Sequence, residues 1–269
     1  MEILVCIKQV PDVPTIRIDR RRMTIIREGV ESIINPLDDV ALEAALDLRA
    51  REGGRVRVMT MGPPQSEAAL REAVAMGADQ GFLLSDPAFA GADTLATSHV
   101  LARAVSLLKP FPDLIMCGMQ TIDSDTGQVG PQLAEELDLP QICGVIDIRV
   151  QGRTLRAMRL SDGFLDTMET VLPALVTVGQ GLHPVSDLSL AALERAFSEK
   201  DIVRWGLDDL GLPPGEVGLE GSATRVRRLY PPRPRRRGEC VSGSPETLVD
   251  RFIRELESLS ILGEEHGGE

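Results

Sequence analysis

The stretch Gly118-Met-Gln-Thr-Ile-Asp-Ser-Asp-Thr-Gly-Gln-Val-Gly-Pro131 joins an apolar run to a helical pattern. The run before it, Leu114–Cys117, is typical of a buried strand. Gly118 and Gly127 allow close approach of the backbone, and Pro131 suits the first turn of a helix. The free N–H groups and the positive dipole end of that helix then favour an anion such as a phosphate. Taken alone, the segment is equally compatible with an ordinary polar turn.

Strand and helix patterns alternate from the first residues to the end of this stretch. The predicted strands are Glu2–Ile7, Arg55–Met61, Gly81–Leu84 and Leu114–Cys117. The predicted helices are a first one capped by Asn35 and ending near Arg51, then Ser66–Met76, Thr94–Leu108 and Gln132–Leu137. This alternation predicts an α/β fold with a doubly wound, mostly parallel sheet that carries helices on both faces.

The carboxyl ends of the predicted strands form the expected ligand-binding edge of the sheet. The segments at that edge are Cys6–Gln9, Asn35, Met61-Gly62, Gly91–Thr97 and Gly118–Gln128. Their convergence predicts a single cleft that holds a ligand of nucleotide size.

From Val145 onward the pattern changes to short alternating runs. We expect antiparallel strands that extend or flank the sheet at Val145–Val150, Thr154–Leu160, Phe164–Val171 and Ala174–Val178. An amphipathic helix is predicted over Ser186–Lys200. Residues 1–205 are therefore expected to form one α/β nucleotide-binding domain.

Residues 206–269 are predicted to form an extended arm and a terminal helix rather than an independent domain. The prolines of the basic stretch Arg225–Arg237 favour an extended chain. An arm lying on another protein is the favoured interpretation, ahead of a solvated tail and of RNA binding, for which stacking aromatic side chains are nearly absent. The apolar face of the helix predicted at Pro245–Ser258 also needs a covering surface.

Composition places the chain among globular proteins. Its 269 residues are 43% hydrophobic and 26% charged, and the net charge of -12 argues against nucleic acid as the main partner. No apolar run has the length of a membrane span and no basic segment opens a signal peptide, so a cytoplasmic location is expected. The cysteines are widely spaced and are predicted to be buried reduced thiols: Cys6, Cys117, Cys143 and Cys240.

The common catalytic signatures are absent from the sequence. It contains no G-x-x-x-x-G-K-[ST], no G-x-G-x-x-G after the first strand, no G-x-S-x-G and no H-E-x-x-H. His99, His183 and His266 are predicted to be structural or exposed rather than catalytic. Asp123 and Asp125 offer carboxylates to Mg²⁺, but local hydrogen bonds within the turn are the preferred interpretation, and no metal site is predicted. Any chemistry must then come from a cofactor.

Several motifs together resemble the small (beta) subunit of electron-transfer flavoproteins, over nearly the whole chain. They are Val5-Cys-Ile-Lys-Gln-Val-Pro-Asp12, Ile34-Asn-Pro-Leu-Asp38 with Ala41–Leu46, Met61-Gly-Pro-Pro64, Met76-Gly-Ala-Asp79 and Gly118–Pro131. The resemblance implies a heterodimer with a larger alpha subunit that holds a redox-active FAD. In the common branch of the family, the cleft of the beta subunit holds a structural AMP.

Two segments, Gly91–Ser98 and Asp123–Pro131, resemble the flavin-bifurcating and nitrogen-fixation-linked branch. That resemblance implies a second FAD in the beta subunit, which accepts a hydride from NADH. One electron then goes to a quinone- or acyl-CoA-dehydrogenase-linked acceptor and the other to ferredoxin or flavodoxin. Two alternatives stay open: a conventional subunit that holds AMP and receives electrons from dehydrogenases through the alpha-subunit FAD, and a non-redox nucleotide-binding scaffold.

The resemblance also implies site residues. The adenine-nucleotide half would be lined by Cys6, Asn35, Asp38 and Met61. Adenosine and phosphates would be held by Gly118 to Val129, with donors from backbone N–H groups of Thr126–Gln128; the residues singled out there are Gly118, Gln120, Asp123, Asp125, Thr126, Gly127, Gln128 and Val129. Asp93, Thr94 and Thr97 would bind the flavin, with the two threonine hydroxyls on its isoalloxazine ring. A cap at the start of a helix is the alternative for Thr94.

The segment that resembles the family's partner-recognition region departs from its pattern. That region usually carries Pro-Arg, a hydrophobic anchor and a run of lysines, but His183–Lys200 has neither the arginine nor the lysine run. Leu188 or Leu190 is the predicted anchor for the partner.

Overall fold

The computed structural model describes residues 1–12, 18–19, 24–25, 32–185, 188–198, 202–228, 238, 240–259 and 261. The chain divides into two compact units, Met1–Arg228 and Leu229–Glu269. The docking role predicted for residues 206–269 stays a proposal.

The first unit alternates strands and helices, as the sequence predicts. Its strands are β1 (Glu2–Cys6), β2 (Gln9–Pro11), β3 (Ile18–Asp19), β4 (Thr24–Ile25), β5 (Ser32–Ile34), β6 (Arg55–Met61), β7 (Gln80–Leu84), β8 (Leu114–Gly118), β9 (Gln141–Gln151), β10 (Thr154–Ser161), β11 (Phe164–Val171), β12 (Ala174–Val178) and β13 (Val203–Trp205). Its helices are α1 (Pro36–Glu52), α2 (Glu67–Met76), α3 (Thr94–Leu107), α4 (Val129–Glu136), α5 (Leu190–Ser198), α6 (Leu207–Leu210) and α7 (Gly218–Gly221).

The described strands build one nine-stranded sheet in the order β11-β10-β9-β12-β8-β1-β6-β7-β13. Every pair from β9 to β13 in that order is parallel, and β10 pairs antiparallel with both β9 and β11. Two small antiparallel pairs, β2 with β5 and β3 with β4, lie outside this sheet. The predicted α/β fold with a mostly parallel sheet and an antiparallel extension is confirmed.

The strand order reverses beside β1. The chain moves from β1 to β6 and β7 on one side and then returns to β8 on the other side of β1. The carboxyl ends of β1 and β8 therefore form the topological switch point, where open α/β sheets bind their ligands.

Helices cover both faces of the sheet. On β1, Val5 belongs to the hydrophobic cluster that contains Leu42 of α1 and Leu70 of α2. The preceding residue, Leu4, belongs to the other cluster, with side chains of α3 and α4 such as Val105. Neighbouring side chains of a strand point to opposite faces, so the central strands are buried on both sides, as their continuous apolar runs predict.

Some predicted elements differ from the structure. Ala174–Val178 was expected to be antiparallel, but it lies inside the sheet and is parallel to both β8 and β9. Its burial on both faces gives no alternating pattern, so local sequence carries little information on its direction. The helix expected over Ser186–Lys200 is shorter, Leu190–Ser198, and residues 186–187 and 199–200 lie outside the described ones.

One strand of the nine-stranded sheet, β13, was not predicted from the sequence. β13 adds to the edge of the sheet beside β7, where Trp205 packs on Phe82 with ring centroids 5.0 Å apart. The strand is only three residues long, which is too short for a periodic pattern to be recognised.

The second unit contains α8 (Pro245–Ser258), at the bounds predicted from the sequence. Its apolar residues Val249, Phe252 and Ile253 are exposed, so the predicted need for a covering surface is unmet among the described residues. Residues 229–237 of the basic stretch and His266 lie outside the described residues. No helix in the described ranges is long and apolar enough to cross a membrane.

All four cysteines are free thiols. Cys6 and Cys117 are buried as predicted, whereas Cys143 is half-buried and Cys240 is exposed. The prediction of burial is wrong for Cys240 because that residue lies in a segment that contributes nothing to either hydrophobic cluster.

Candidate functional site

The loop after β8 carries a run of free backbone donors. Asp125 and Gly127 adopt left-handed backbone conformations, with φ of 53° and 64°. The N–H groups of Thr126, Gly127 and Gln128 have no hydrogen-bond acceptor in the described part of the chain, and α4 begins at the next residue. Successive N–H groups in such a turn, placed at a helix N-terminus, form a cradle for an anion. We call residues Asp125–Gln128 the N–H cradle.

A buried carboxylate joins the ends of the two strands at the switch point. Asp38, in the first turn of α1, accepts hydrogen bonds from the N–H of Lys8 and from the N–H of Gly118, both at 2.8 Å. Its side chain ties together the chain leaving β1 and the chain leaving β8. A side chain at position 118 is excluded, because an added Cβ would lie 2.5 Å from Asp38 Oδ1 and 2.8 Å from Leu37 Cβ.

The environment of Asp38 changes its ionisation. Burial raises its pKa to about 7, although hydrogen bonds from Gly118, Lys8 and Asn35 and the charge of Lys8 lower it. Desolvation disfavours the anion more than these partners restore it. The carboxyl group therefore changes charge near neutral pH.

Asn35 also joins distant parts of the site. It stands at the N-cap position of α1, as predicted, but its side chain makes no cap bond to the helix. Its amide instead donates to Gln120 O at 3.0 Å and accepts from the N–H of Ile122 at 3.1 Å. The prediction of a side-chain cap is wrong, because both ends of this fully buried amide are used to hold the loop after β8.

Lys8 is a site residue that was not predicted from the sequence. Its Nζ donates to Asp123 Oδ1 at 2.8 Å and to Ser124 Oγ at 3.3 Å. These bonds link the segment that follows β1 to the loop that follows β8. Burial raises the pKa of Asp123, but the hydrogen bond and charge of Lys8 outweigh it and the net pKa is lowered. Asp123 is thus an anion held by local hydrogen bonds. The available signal was the position of Lys8, two residues after the strand that carries Cys6.

Cys6 and Met61 end the neighbouring strands β1 and β6 at the same edge. Cys6 is paired in register with Cys117 of β8, and both thiols are buried. Burial, and then the charge of Asp38, raise the pKa of Cys6 to about 12, so the thiol stays neutral. Met61 is half-buried. These two side chains give the site an uncharged wall.

The first turn of α3 lies beside the N–H cradle. Thr94 Oγ1 donates to Gln128 Oε1 at 2.9 Å, which joins the start of α3 to the start of α4. Thr97 is half-buried, and its hydroxyl has no partner among the described residues. Asp93, not Thr94, supplies the helix cap, with its Oδ1 accepting from the N–H of Ala96 at 3.0 Å.

The two predicted partner anchors lie next to or in α5. Leu190 begins that helix and is 85% exposed, while Leu188 is half-buried. The helix is held on α2 by Arg71, whose Nη1 donates to Ala196 O at 2.9 Å. Partner binding by either leucine stays a prediction.

The predicted cofactor-binding residues thus lie in two groups. One group surrounds the switch point, and the other is the first turn of α3. Contacts of Asp38, Asn35 and Lys8 organise the switch point, and the Thr94–Gln128 bond links it to α3. Gln120 on the loop and Val129 at the start of α4 are half-buried. A separate concavity of about 460 Å³ lies between α1 and β9 and contains none of the predicted site residues.

This arrangement fits a nucleotide. The N–H cradle offers donors that the described chain leaves without acceptors, and Lys8 forms an ion pair with Asp123 of the same loop. The hydroxyls of Thr94 and Thr97 provide polar groups beyond the cradle. Among these residues no nucleophile is paired with a base.

The chain has extensive similarity to known proteins. Residues 22–210 match the family described as Electron transfer flavoprotein domain. The chain is 44% identical to Electron transfer flavoprotein subunit beta of Thermoanaerobacterium thermosaccharolyticum, over 97% of this chain and 100% of that protein. It is 44% identical to Caffeyl-CoA reductase-Etf complex subunit CarD of Acetobacterium woodii, over 99% of each chain. It is 42% identical to Protein FixA of Azorhizobium caulinodans, over 95% of this chain and 94% of that protein.

Proposed function

Because this chain belongs to the electron transfer flavoprotein family as a beta subunit, we propose that it binds FAD in the cleft at the switch point. With an alpha subunit it takes electrons from NADH and passes them on by flavin-based bifurcation. One electron goes to a quinone- or acyl-CoA-dehydrogenase-linked acceptor, and the other goes to ferredoxin or flavodoxin. Similarity to proteins named CarD, of a reductase-Etf complex, and FixA supports this branch.

The proposal rests mainly on the bond between Thr94 and Gln128. It places the first turn of α3 directly beside the N–H cradle. AMP ends at a single phosphate, whereas FAD continues past its phosphates to an isoalloxazine ring. A phosphate in the cradle would let the rest of a longer cofactor reach Thr94 and Thr97. The hydroxyl of Thr97, which has no partner in the described chain, is available to that ring.

The chain's own residues bind and orient the cofactor in this proposal. The N–H groups of Thr126–Gln128 donate to phosphate oxygens, and Lys8 reduces the negative charge there. Asp38 and Asn35 hold the loops that carry these donors, and the neutral thiol of Cys6 lines the adenine half. FAD, when bound, supplies the hydride and one-electron chemistry that the side chains lack.

The alpha subunit is the proposed principal partner. Residues 206–269 are proposed to dock on it, since the exposed apolar face of α8 needs a covering surface. Leu188 or Leu190 is the proposed anchor for a dehydrogenase or quinone oxidoreductase. A cytoplasmic location is proposed as well.

The cofactor content of the purified heterodimer tests the proposal. The chain is coexpressed with its alpha subunit, and the bound nucleotides are released by denaturation and quantified by chromatography. About two FAD per heterodimer is the expected result. One FAD with one AMP would instead support a conventional subunit, because the cradle and Lys8 serve the phosphate of AMP equally well. A heterodimer without flavin would support a non-redox scaffold.

NADH oxidation tests the second half of the proposal. The flavin-loaded heterodimer is mixed with NADH under anaerobic conditions, first alone and then with ferredoxin and a high-potential acceptor together. Reduction of ferredoxin only when both acceptors are present supports bifurcation. Ferredoxin reduction that is independent of the high-potential acceptor contradicts it.

A further inference from the structure

A short segment of the chain crosses the loop that precedes α3. The segment Val217–Thr224, here called the strap, includes α7 and lies against the loop Pro87–Asp93. The N–H of Leu219 donates to Ala90 O at 3.1 Å. Gly218 has a φ of 58°, and any side chain at that position would overlap the carbonyl oxygen of Ala88. The strap therefore fits tightly on this loop.

The end of the strap is bonded to Asp93. The N–H of Asp93 donates to Ser222 Oγ at 2.8 Å. Asp93 Oδ2 accepts from both the N–H and the hydroxyl of Thr224, at 2.8 and 2.9 Å. Its other oxygen accepts from the N–H of Ala96 and caps α3. The carboxylate of Asp93 thus links the start of α3 to Thr224, which lies 131 positions later in the sequence.

These contacts leave Asp93 little capacity for a ligand. Both of its carboxylate oxygens are engaged by the protein, and hydrogen bonds to a carboxylate are among the stronger ones in proteins. The next residue, Thr94, donates to Gln128 at the end of the N–H cradle. A continuous series of hydrogen bonds therefore runs from Thr224 through Asp93 and the start of α3 to the cradle.

We propose that Asp93 is a positioning residue, through which the strap holds the hydroxyls of Thr94 and Thr97 at the cofactor. This inference rests on the proposed function, because it assumes that the ring of FAD lies at the first turn of α3. Thr224 is four residues before Arg228, the last residue of the first unit. The strap therefore lies near the end of the first unit.

Two variants disturb these contacts, and the first of them leaves the helix cap in place. Ser222→Ala combined with Thr224→Val removes the acceptor for the N–H of Asp93 and one donor to its Oδ2, while the bond that caps α3 remains. Asp93→Asn replaces one of the two acceptor oxygens by an N–H₂ donor, which faces other donors whichever way the amide turns. Thr224→Ser is the matched control, since it keeps the hydroxyl and loses only a methyl group.

The experiment uses the intact heterodimer with bound flavin. Hydrogen exchange of the strap amides and trypsin cleavage after Arg225 report opening of the strap. The rate of flavin release and the reduction potential report the cofactor site. Loss of one charge-assisted hydrogen bond corresponds to about tenfold in an opening equilibrium. We expect about tenfold faster exchange and flavin release and a changed potential in both variants, and wild-type values in Thr224→Ser.

Two results would overturn the inference. Faster exchange with unchanged flavin release and potential would show that the strap does not position the cofactor. Unchanged exchange would show that these contacts do not hold the strap. A wild-type heterodimer with no flavin in this cleft would overturn the proposed function itself, which the cofactor analysis of the wild type detects separately.

Discussion

The N–H of Gly118, at the end of β8, donates to Asp38 Oδ1 at 2.8 Å across 80 residues of sequence. The other oxygen of Asp38 accepts from the N–H of Lys8, which follows β1. A single buried carboxylate therefore sets the spacing of the two loops at the switch point. Its ionisation and its removal both have measurable consequences.

Asp38→Asn should destabilise the protein by about 1–3 kcal/mol, because an N–H₂ group would face one of two buried N–H donors. Urea unfolding followed by circular dichroism measures this difference. Asp47→Asn, which affects a partly exposed ion pair with Arg51 on the same helix, should change the stability by less than about 0.5 kcal/mol. Equal effects of the two variants would contradict the structural role of Asp38.

The stability of the protein should depend on pH through Asp38. Its folded-state pKa is raised from 3.8 to about 7, so the folded state keeps a proton that the unfolded state has released. The corresponding stability is fully present below pH 3.8 and is lost as the pH rises through 7. Asp38→Asn lacks this titration, so its destabilisation relative to wild type should be greater at pH 5 than at pH 8. Unfolding curves at the two pH values test the sign, and a larger difference at pH 8 would reject it.

Gly127→Ala should weaken nucleotide binding about tenfold, because alanine disfavours the left-handed backbone by about 1–2 kcal/mol and a cradle that relaxes from it would no longer direct its N–H groups at one anion. The added Cβ would also lie 3.4 Å from Met119 O. Gly152→Ala is the matched control, since Gly152 has a φ of 62° and open space around it. Both variants should lose similar stability, but only Gly127→Ala should lose affinity for FAD or AMP in calorimetry. Equal nucleotide affinities of the two variants would show that the N–H cradle does not bind the nucleotide.

Lys8→Met should lower the affinity for the nucleotide about tenfold, because one charge-assisted hydrogen bond is lost at the phosphate. The variant also leaves Asp123 without its cation, and the side chain of Asp123 is only 2% exposed. The affinity of the variant should depend less on salt concentration than that of wild type. Lys109→Met, in the turn before β8, is the control and should bind as wild type does. A variant of Lys8 with wild-type affinity and salt dependence would show that this lysine does not contact the ligand.

Thr94→Val together with Thr97→Val should shift the reduction potential of the beta flavin or empty the site. Hydrogen bonds to a flavin ring stabilise its more negative forms, and the two hydroxyls lie one helical turn apart. Potentiometric titration of the heterodimer measures the shift. Thr170→Val, on β11 and outside the site, is the control and should leave the potential unchanged. An unchanged potential with full occupancy in the double variant would reject the assignment of the two threonines.

The sequence by itself determined most of the elements and the fold class. The segments that form β6, β11 and β12 have the predicted bounds, because the spacing of their hydrophobic residues and the turns that flank them are local signals. The role of Gly127 in the turn could likewise be predicted from the sequence, since a left-handed backbone favours glycine whatever surrounds it. The motifs of the family are also short stretches of sequence, so they can be recognised without the structure.

Only the tertiary structure decided which side chains meet. Lys8 reaches Asp123 across 115 residues, and Thr224 reaches Asp93 across 131. The side chain of Asn35 holds a distant loop instead of its own helix, although its position alone predicts a cap. Such contacts depend on how the strands are ordered in the sheet, and a strand buried on both faces carries no local signal of its neighbours or direction. Short sequence patterns therefore predict the helices and strands, whereas the positions of the site residues relative to one another follow from the packing of the whole chain.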